Sequence, residues 1–406
     1  MLKKFTPFVF LLVVVSAKAQ YRNDNVLYKT IDPFELCDAL QKNKGYLLLD
    51  VRSAGENCDT SSSGLNIGHL NGAKNIDVRE LGNRLSEINN YKDQPVFVYC
   101  SHSQRSRRAS KMLADSGFTK VFNINGGMTA LYYTNAREKD CLQSLVGTNN
   151  KYSTISAIDL CNKVSAKKDV FVLDVRSDSA FRHISTDPKV NAYGIIKQST
   201  NIPLPELEMK LNSIPKNKEI IIADLNGSDA PKAAVLLKQK GYSNVSVLIE
   251  GISRLLSTDE NELSCKKQIY QSPVSYKIMS TSEFGRFTKA TKDYLLLDIR
   301  TVEAFTNKHT DSWRNIGHLK NAINIPTADL ANRIAELTPY KNKEIVIYGF
   351  SSDVESFAAA DILTQQGFKK VNALNSGLFN IRWTAANHKE EAYLKDLVTD
   401  IPEINW

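Results

Sequence analysis

Cysteine is scarce in this chain, six residues in 406, and no two of the six stand in a C-x-x-C pair. A dithiol relay uses that spacing, so its absence counts against thiol–disulfide exchange as the activity. No run of His, Cys, Asp and Glu has metal-ligand spacing, and neither a phosphate-cradling glycine loop nor a dinucleotide fingerprint is present. The run Asn125-Gly126-Gly127-Met128 is too short and wrongly placed for a nucleotide. Neither a metal nor an organic cofactor is therefore expected. Basic stripes interleaved with aromatics are also missing. The formal charge of +8 falls to +5 once Lys3, Lys4 and Lys18 are set aside with the N-terminal segment. That is a mild attraction for anions and no nucleic-acid footprint.

Long apolar runs are missing too, with one exception. Behind Lys3 and Lys4 an apolar run extends from Phe8 to Val15, followed by Ala17-Lys18-Ala19. This is the pattern of a secretory signal peptide over residues 1–19, with cleavage after Ala19. The run is too short to span a bilayer comfortably, and no cysteine at the cleavage site offers a lipid anchor. The expectation is a secreted protein of the bacterial periplasm with no stable membrane insertion after cleavage. The rest of the composition, 42% apolar and 24% charged, is that of a soluble globular protein.

What is abundant is self-similarity. Segments beginning at Tyr28, Tyr152 and Tyr276 resemble one another at a spacing of 124, and Asp50, Asp174 and Asp298 repeat at the same interval inside YLLLDVR, VFVLDVR and YLLLDIR. Three tandem units follow: 20–144, 145–268 and 269–406. Within each, continuous apolar β-rich runs alternate with segments of helical period, such as 78–88 and the stretch that Gly117 closes. The fold class is α/β, each unit a mainly parallel sheet with helices on both faces. Ligands of such sheets sit beyond the carboxyl ends of the strands.

Cys100 stands at one such end, in VFVYCSHSQRSRRASKML. The six residues Cys100, Ser101, His102, Ser103, Gln104 and Arg105 bridge strand to helix, and Ser106 opens the helix. If the loop curls, its N–H groups converge on the sulfur as an anion nest, with the helix N-terminus and Arg105 adding positive charge. Those surroundings favour a nucleophilic thiolate. The alternative is a buried, inert cysteine.

The Cys-led loop ending in Arg-Ser, the upstream DVRSAGE, the IGHLNGAKNI segment and the downstream NINGGM together resemble the rhodanese (sulfurtransferase) domain family, in all three units. The resemblance implies that Cys100 takes a sulfane sulfur from a small donor anion such as thiosulfate and holds it as a persulfide on the loop amides. Cyanide or a thiol then removes it, in ping-pong covalent catalysis needing no cofactor beyond the sulfur. The family often has glycine at the fourth loop position, where this chain has Ser103. If that position needs positive φ, serine costs strain.

The repeats act as an internal control. At the Cys100 position the second unit has Asp224 and the third Gly349, while Arg105 is replaced by Asp229 and Val354, and Glu56 by Ala180 and Ala304. One active unit and two degenerate ones are expected. Asp50 and Arg52 recur in every unit and read as a structural ion pair. His69 recurs in the third unit as His318 and also reads as structural. His102 either steers an acceptor or donor or is a solvated loop residue. The stretch 61–64 (SSSG) reads as a flexible insert near the pocket rim.

Cys37 and Cys161 occupy equivalent positions, as do Cys141 and Cys265, and both positions change together in the third unit, to Gly285 and Lys389. This pattern suggests disulfides Cys37–Cys141 and Cys161–Cys265, which export would permit; the alternative is inherited, unbonded cysteines. Cys58 is left as a free thiol or a resolving partner of Cys100. Two competing functions remain. A phosphatase loop of the related fold carries seven residues from Cys to Arg, and here Ser106 stands where that Arg would be. A largely non-catalytic binding or scaffold protein would explain two degenerate units, and a protein partner for units two and three stays open.

Overall fold

The structure is a computed structural model that describes residues 27–133, 136–258 and 260–402; the expected signal peptide lies outside them. The strand Leu47–Asp50 is buried at every position, and so is Val96–Tyr99. In Val96–Tyr99 the side chains divide by parity: Val96 and Val98 join Leu81, Leu113 and Phe118 on one face, while Phe97 and Tyr99 join Leu36, Ile124 and Met128 on the other. Two-sided burial is why these strands read as unbroken apolar runs rather than alternating ones.

Five parallel strands form the first unit's sheet, in the order Lys29–Ile31, Val121–Ile124, Val96–Tyr99, Leu47–Asp50, Lys74–Asn75. The same order recurs in the other two units, around central strands Glu219–Ala223 and Glu344–Tyr348. The fold class expected from the alternating pattern is the one observed, three times. A short strand trailing each unit pairs back antiparallel onto it: Val146–Gly147 on His69–Leu70, Tyr270–Gln271 on Ile195–Ile196, and Val398–Thr399 on His318–Leu319. Disulfides Cys37–Cys141 and Cys161–Cys265, with Cα atoms 6.4 and 5.9 Å apart, tie the first helix of units one and two to their trailing segments.

Two local readings need correction. The segment 78–88 does not wind as an α-helix; a 3₁₀ helix runs over Leu81–Tyr91 instead, burying only Leu81 and Ile88. Gly82, Asn83, Asn89 and Asn90 are poor helix formers, and two anchors seven residues apart do not impose α geometry. The 61–64 insert is not free: Ser61 bonds Asn66, and the 3₁₀ turn Ser63–Leu65 packs on the second unit's helix Ala230–Gln239.

The three units close into a ring. The Tyr133 hydroxyl donates to the Ile249 carbonyl (3.2 Å), joining units one and two. Asn375 donates to the Ser257 hydroxyl (2.8 Å), joining three and two, and Asn125 donates to the Asn387 carbonyl (3.2 Å), joining one and three. In the repeat, Tyr133 and Ser257 are equivalent, as are Asn125, Ile249 and Asn375, so one contact type recurs at two of the three joints, while at the third Asn125 meets Asn387 instead. Helices Gly127–Leu131, Gly251–Ser257 and Gly377–Asn387 surround its middle, where Ala130, Arg254, Phe379 and Trp383 line a common cavity of ≈ 510 Å³. The rims are not equivalent. The turn Ser63–Leu65 of unit one covers the helix Ala230–Gln239 of unit two, and Pro188–Ala192 of unit two covers Val354–Gln365 of unit three. Among the described residues no comparable packing joins Ser312–Arg314 of unit three to the helix Gln104–Asp115, and Trp313 is left exposed. The helix behind Cys100 lacks such a rim turn and meets unit three through Arg107, which lies over the Trp383 ring at 5.9 Å.

Candidate active site

Cys100 follows directly on the central strand Val96–Tyr99 and is 1% exposed. Behind it the backbone is pinned: the Met128 amide, at the start of Gly127–Leu131, donates to the Cys100 carbonyl at 2.9 Å. This close approach requires Gly127, whose φ is +57° and where a Cβ would lie 2.2 Å from that carbonyl oxygen. The second and third units keep the device, with Ile252 donating to Asp224 and Leu378 to Gly349.

In front of the sulfur the loop curls. The Ser103 amide donates to Cys100 Sγ at 3.1 Å. It is the one loop amide bonded to the sulfur, where convergence of the amides from Ser101 to Ser106 is expected. Ser103 has φ +85°, so the position does need the left-handed region. The serine is compensated there: its hydroxyl accepts the Gly126 amide (2.6 Å) and points its own proton at the Ile124 carbonyl (3.4 Å). Ser106, buried at the first helical turn, donates to Asn123 Oδ1 at 2.7 Å. Ser101 is buried and accepts from Arg105 at 2.9 Å; Gln104 begins the helix and is exposed at the cavity edge.

Arg105 forms a fork with Glu56, with both N···O distances 2.6 Å. Glu56 is placed by the short helix Ala54–Asn57, where it closes a capping box with Ser53. Burial alone would raise the Glu56 carboxyl; the Arg105 bonds and charge, with help from Ser53, hold it below the usual carboxylate range. The same pair, opposed by partial burial, raises Arg105. Both members are absent from units two and three, so the fork belongs to the unit with the thiol.

Asp50 and Arg52 are fully buried beneath the site. Arg52 bonds Asp50 through Nε and Nη2 and donates to the Gly68 carbonyl (2.8 Å). Arg176–Asp174 and Arg300–Asp298 repeat this geometry, with carbonyls of Gly194 and Gly317. A pair present with or without the thiol anchors the sheet end. His69 lies in the strand His69–Leu70, opposite Gly147, and its equivalent His318 stacks on Phe305 (4.1 Å). Cys58 is exposed and its thiol faces Asn57, not Cys100.

His102 is the loop's outermost member. Its Nε2 lies 3.2 Å from Thr129 Oγ1 and 3.4 Å from Glu250 Oε1, a carboxylate of the second unit. Neither Thr129 nor Glu250 was legible as a site residue; the only signal was that Glu250 stands where the other units have Gly126 and Ser376.

The second unit shows what the loop can hold. Asp224 occupies the Cys100 position, 2% exposed, and its carboxylate accepts three amides: Gly227 (2.6 Å), Asp229 (2.6 Å) and Ala230 (3.0 Å). These are the equivalents of Ser103, Arg105 and Ser106. In the third unit Gly349 has no side chain to offer; Asp353 accepts the Phe350 and Ser351 amides instead.

Among the described residues no cluster could hold a metal ion, and no helix is long and apolar enough to cross a membrane. The family model of the rhodanese-like domain matches residues 34–133, 157–258 and 285–382. The uncharacterized protein YqhL of Bacillus subtilis is 32% identical over 119 residues, 29% of this chain and 84% of that protein. The thiosulfate sulfurtransferase GlpE of Shewanella oneidensis is 31% identical over 93 residues, 23% of this chain and 82% of that protein. Among solved structures, a rhodanese-related protein from Thermoplasma volcanium is 29% identical with a TM-score of 0.21, covering 25% of this chain and 89% of that one. With three matches that together take in most of its length, the chain belongs to the rhodanese-like, sulfurtransferase family.

Proposed function

We propose that this protein is an exported sulfurtransferase with one working unit, in which Cys100 carries the sulfur. The Cys100 thiolate attacks the outer sulfur of a donor such as thiosulfate. The S–S bond of the donor breaks with its electron pair leaving on sulfite, and Cys100–S–S⁻ remains. An acceptor thiolate, or cyanide, then attacks the terminal sulfur, and the pair of the Sγ–S bond returns to Cys100. Charge balances in both halves, and no cofactor beyond the covalent sulfur is invoked.

The observation that carries this reading is Asp224. A carboxylate oxygen and the terminal sulfur of a cysteine persulfide both lie two bonds from Cβ, and both are anionic acceptors. In unit two the amides of Asp229 and Ala230 close on one such oxygen and that of Gly227 on the other. In unit one only the Ser103 amide reaches the shorter thiol, which leaves the amides of Arg105 and Ser106 for a sulfur one atom further out. Arg105 is held beside the loop by Glu56. The loop length from Cys100 to Arg105 is short for a phosphate. The leader-like pattern of residues 1–19 supports a reaction in the periplasm, with small sulfur donors and thiol or cyanide acceptors as partners and no role for nucleic acid. A scaffold role for units two and three coexists with this, since the ring needs both.

Intact mass tests it. Incubating the unreduced mature protein with thiosulfate is expected to add about 32 Da, removed by cyanide and absent from Cys100→Ser. An adduct on Cys100→Ser, or none on the wild type while its thiol alkylates, would overturn it and leave a binding protein.

A further inference from the structure

We propose that His102 is the base that takes the proton of an acceptor thiol, and that Glu250 of unit two positions it. Both roles rest on the sulfurtransferase reading above. Glu250 Oε1 lies 3.4 Å from His102 Nε2, and Thr129 Oγ1 lies 3.2 Å from the same nitrogen. A ring nitrogen that faces a carboxylate does so with its N–H, because its lone pair would be repelled there. Nε2 therefore carries the proton, and in the neutral ring Nδ1 keeps a lone pair. Among the described residues nothing bonds that Nδ1, and the side chain is 51% exposed. An imidazole fixed on one side by a carboxylate and open on the other is built to accept a proton. Burial alone would raise the Glu250 carboxyl, but the His102 bond and the Arg254 charge hold it below the usual carboxylate range.

The repeats single this arrangement out. The amides of Thr129, Ser253 and Phe379 bond the carbonyls of Ser101, Leu225 and Phe350, which fixes how the three loops correspond. For the loop of unit two the positions of His102, Thr129 and Glu250 are filled by Asn226, Ser253 and Ser376. For that of unit three they are filled by Ser351, Phe379 and Gly126. Neither set holds a base or a carboxylate. Glu250 bears a left-handed φ of +56° in a unit whose own loop has Asp224 in place of the thiol. The base is also close to the reaction. His102 precedes Ser103, whose amide lies 3.1 Å from Cys100 Sγ, so the His102 Cα stands within about 5.5 Å of the sulfur. Its side chain walls two cavities between units, of ≈ 520 and ≈ 510 Å³, each roomy enough for a small thiol. The acceptor gives its S–H proton to Nδ1 and attacks the outer persulfide sulfur as a thiolate. The Sγ–S bond breaks with its pair going to Cys100, and the acceptor leaves as a persulfide anion. The imidazolium then returns the proton to solvent.

Acceptors of different acidity make the test. Near neutral pH 2-mercaptoethanol still carries its proton and needs a base, whereas thionitrobenzoate is already ionised. Cys100 is loaded with thiosulfate or with polysulfide, and loss of about 32 Da to each acceptor is timed at one pH. His102→Ala is expected to slow discharge to 2-mercaptoethanol about 10- to 100-fold and to thionitrobenzoate less than about 3-fold. Added imidazole should restore part of the first rate, which it could not do for a residue that only holds the loop's shape. Glu250→Gln is expected to show the same selective loss at about 3- to 10-fold, and Glu250→Asp a smaller one. Equal losses with both acceptors, or no rescue by imidazole, overturn the base. A Glu250→Gln protein that discharges like wild type overturns the positioning. In each of these cases Cys100 still loads and the sulfurtransferase stands, whereas a Cys100 that takes sulfur from neither donor refutes both readings.

Discussion

Ser103 shows how one residue balances two opposed terms. A serine at φ +85° bears backbone strain of order 1 kcal/mol that glycine would relieve. Yet its hydroxyl takes the Gly126 amide at 2.6 Å, a bond worth about 1 kcal/mol. Ser103→Gly is therefore expected to leave stability within about 1 kcal/mol of wild type, while Ser103→Ala keeps the strain, strips the bond and costs about 1–3 kcal/mol. Urea unfolding of the two variants checks this, and an alanine variant as stable as the glycine one would show the hydroxyl to be idle. Glu56 makes a prediction in pH. Its folded pKa lies below the unfolded value of about 4.3, so the stability it confers is complete above that value. It drains away as acid carries the carboxyl through its depressed folded value. The stability gap between wild type and Glu56→Gln should thus be widest near neutrality and narrow below about pH 4, measured by denaturant unfolding across the range. Most of these residues were legible in the sequence because the repeats mark which ones travel with the thiol. The Arg105–Glu56 fork was not, since 49 residues of chain separate its members and nothing local announces that the short helix Ala54–Asn57 ends over the loop.

At the level of elements, the alternating pattern was enough for the sheets, whose strands state their burial in composition. It failed at 78–88, where periodicity alone did not distinguish an α-helix from a 3₁₀ run with two anchors. The paired disappearance of two cysteines pointed to a pair of disulfides, and the third unit shows what replaces one. With Gly285 in the cysteine's place, Tyr393 and Leu394 close onto the helix Thr281–Ala290, and a Cβ on Gly285 would stand 2.3 Å from the Tyr393 hydroxyl. Lys289 lies over the Tyr393 ring at 3.3 Å. Packing there does what a covalent link does elsewhere. The links close loops 104 residues apart in sequence, for which the chain-entropy model gives about 4–5 kcal/mol each. Reduction should therefore lower hydrogen-exchange protection in units one and two and spare unit three. Equal loss in all three would mean that the ring, and not the bridge, sets local stability.

At the scale of the whole molecule, no sequence signal foretold the ring, because beside the rim packing its joints are made by hydrogen bonds from residues with nothing unusual in their sequence setting: Asn125, Tyr133 and Asn375. Nor was the uneven rim visible, which packs a turn or short helix on the loop helices of the two thiol-free units and none comparable, among the described residues, on that of the working one. Units without a nucleophile are thus walls of the site that remains. Glu250, Gly126 and Ser376 occupy one structural position, all left-handed, on two cavities that share Glu250. In an assembly of three identical chains a glutamate there would appear three times, placing a carboxylate beside every loop and strain in every subunit. A single chain folded as its own trimer escapes that rule: each corner can be edited alone, so one can keep the reaction while another is reshaped to choose what reaches it.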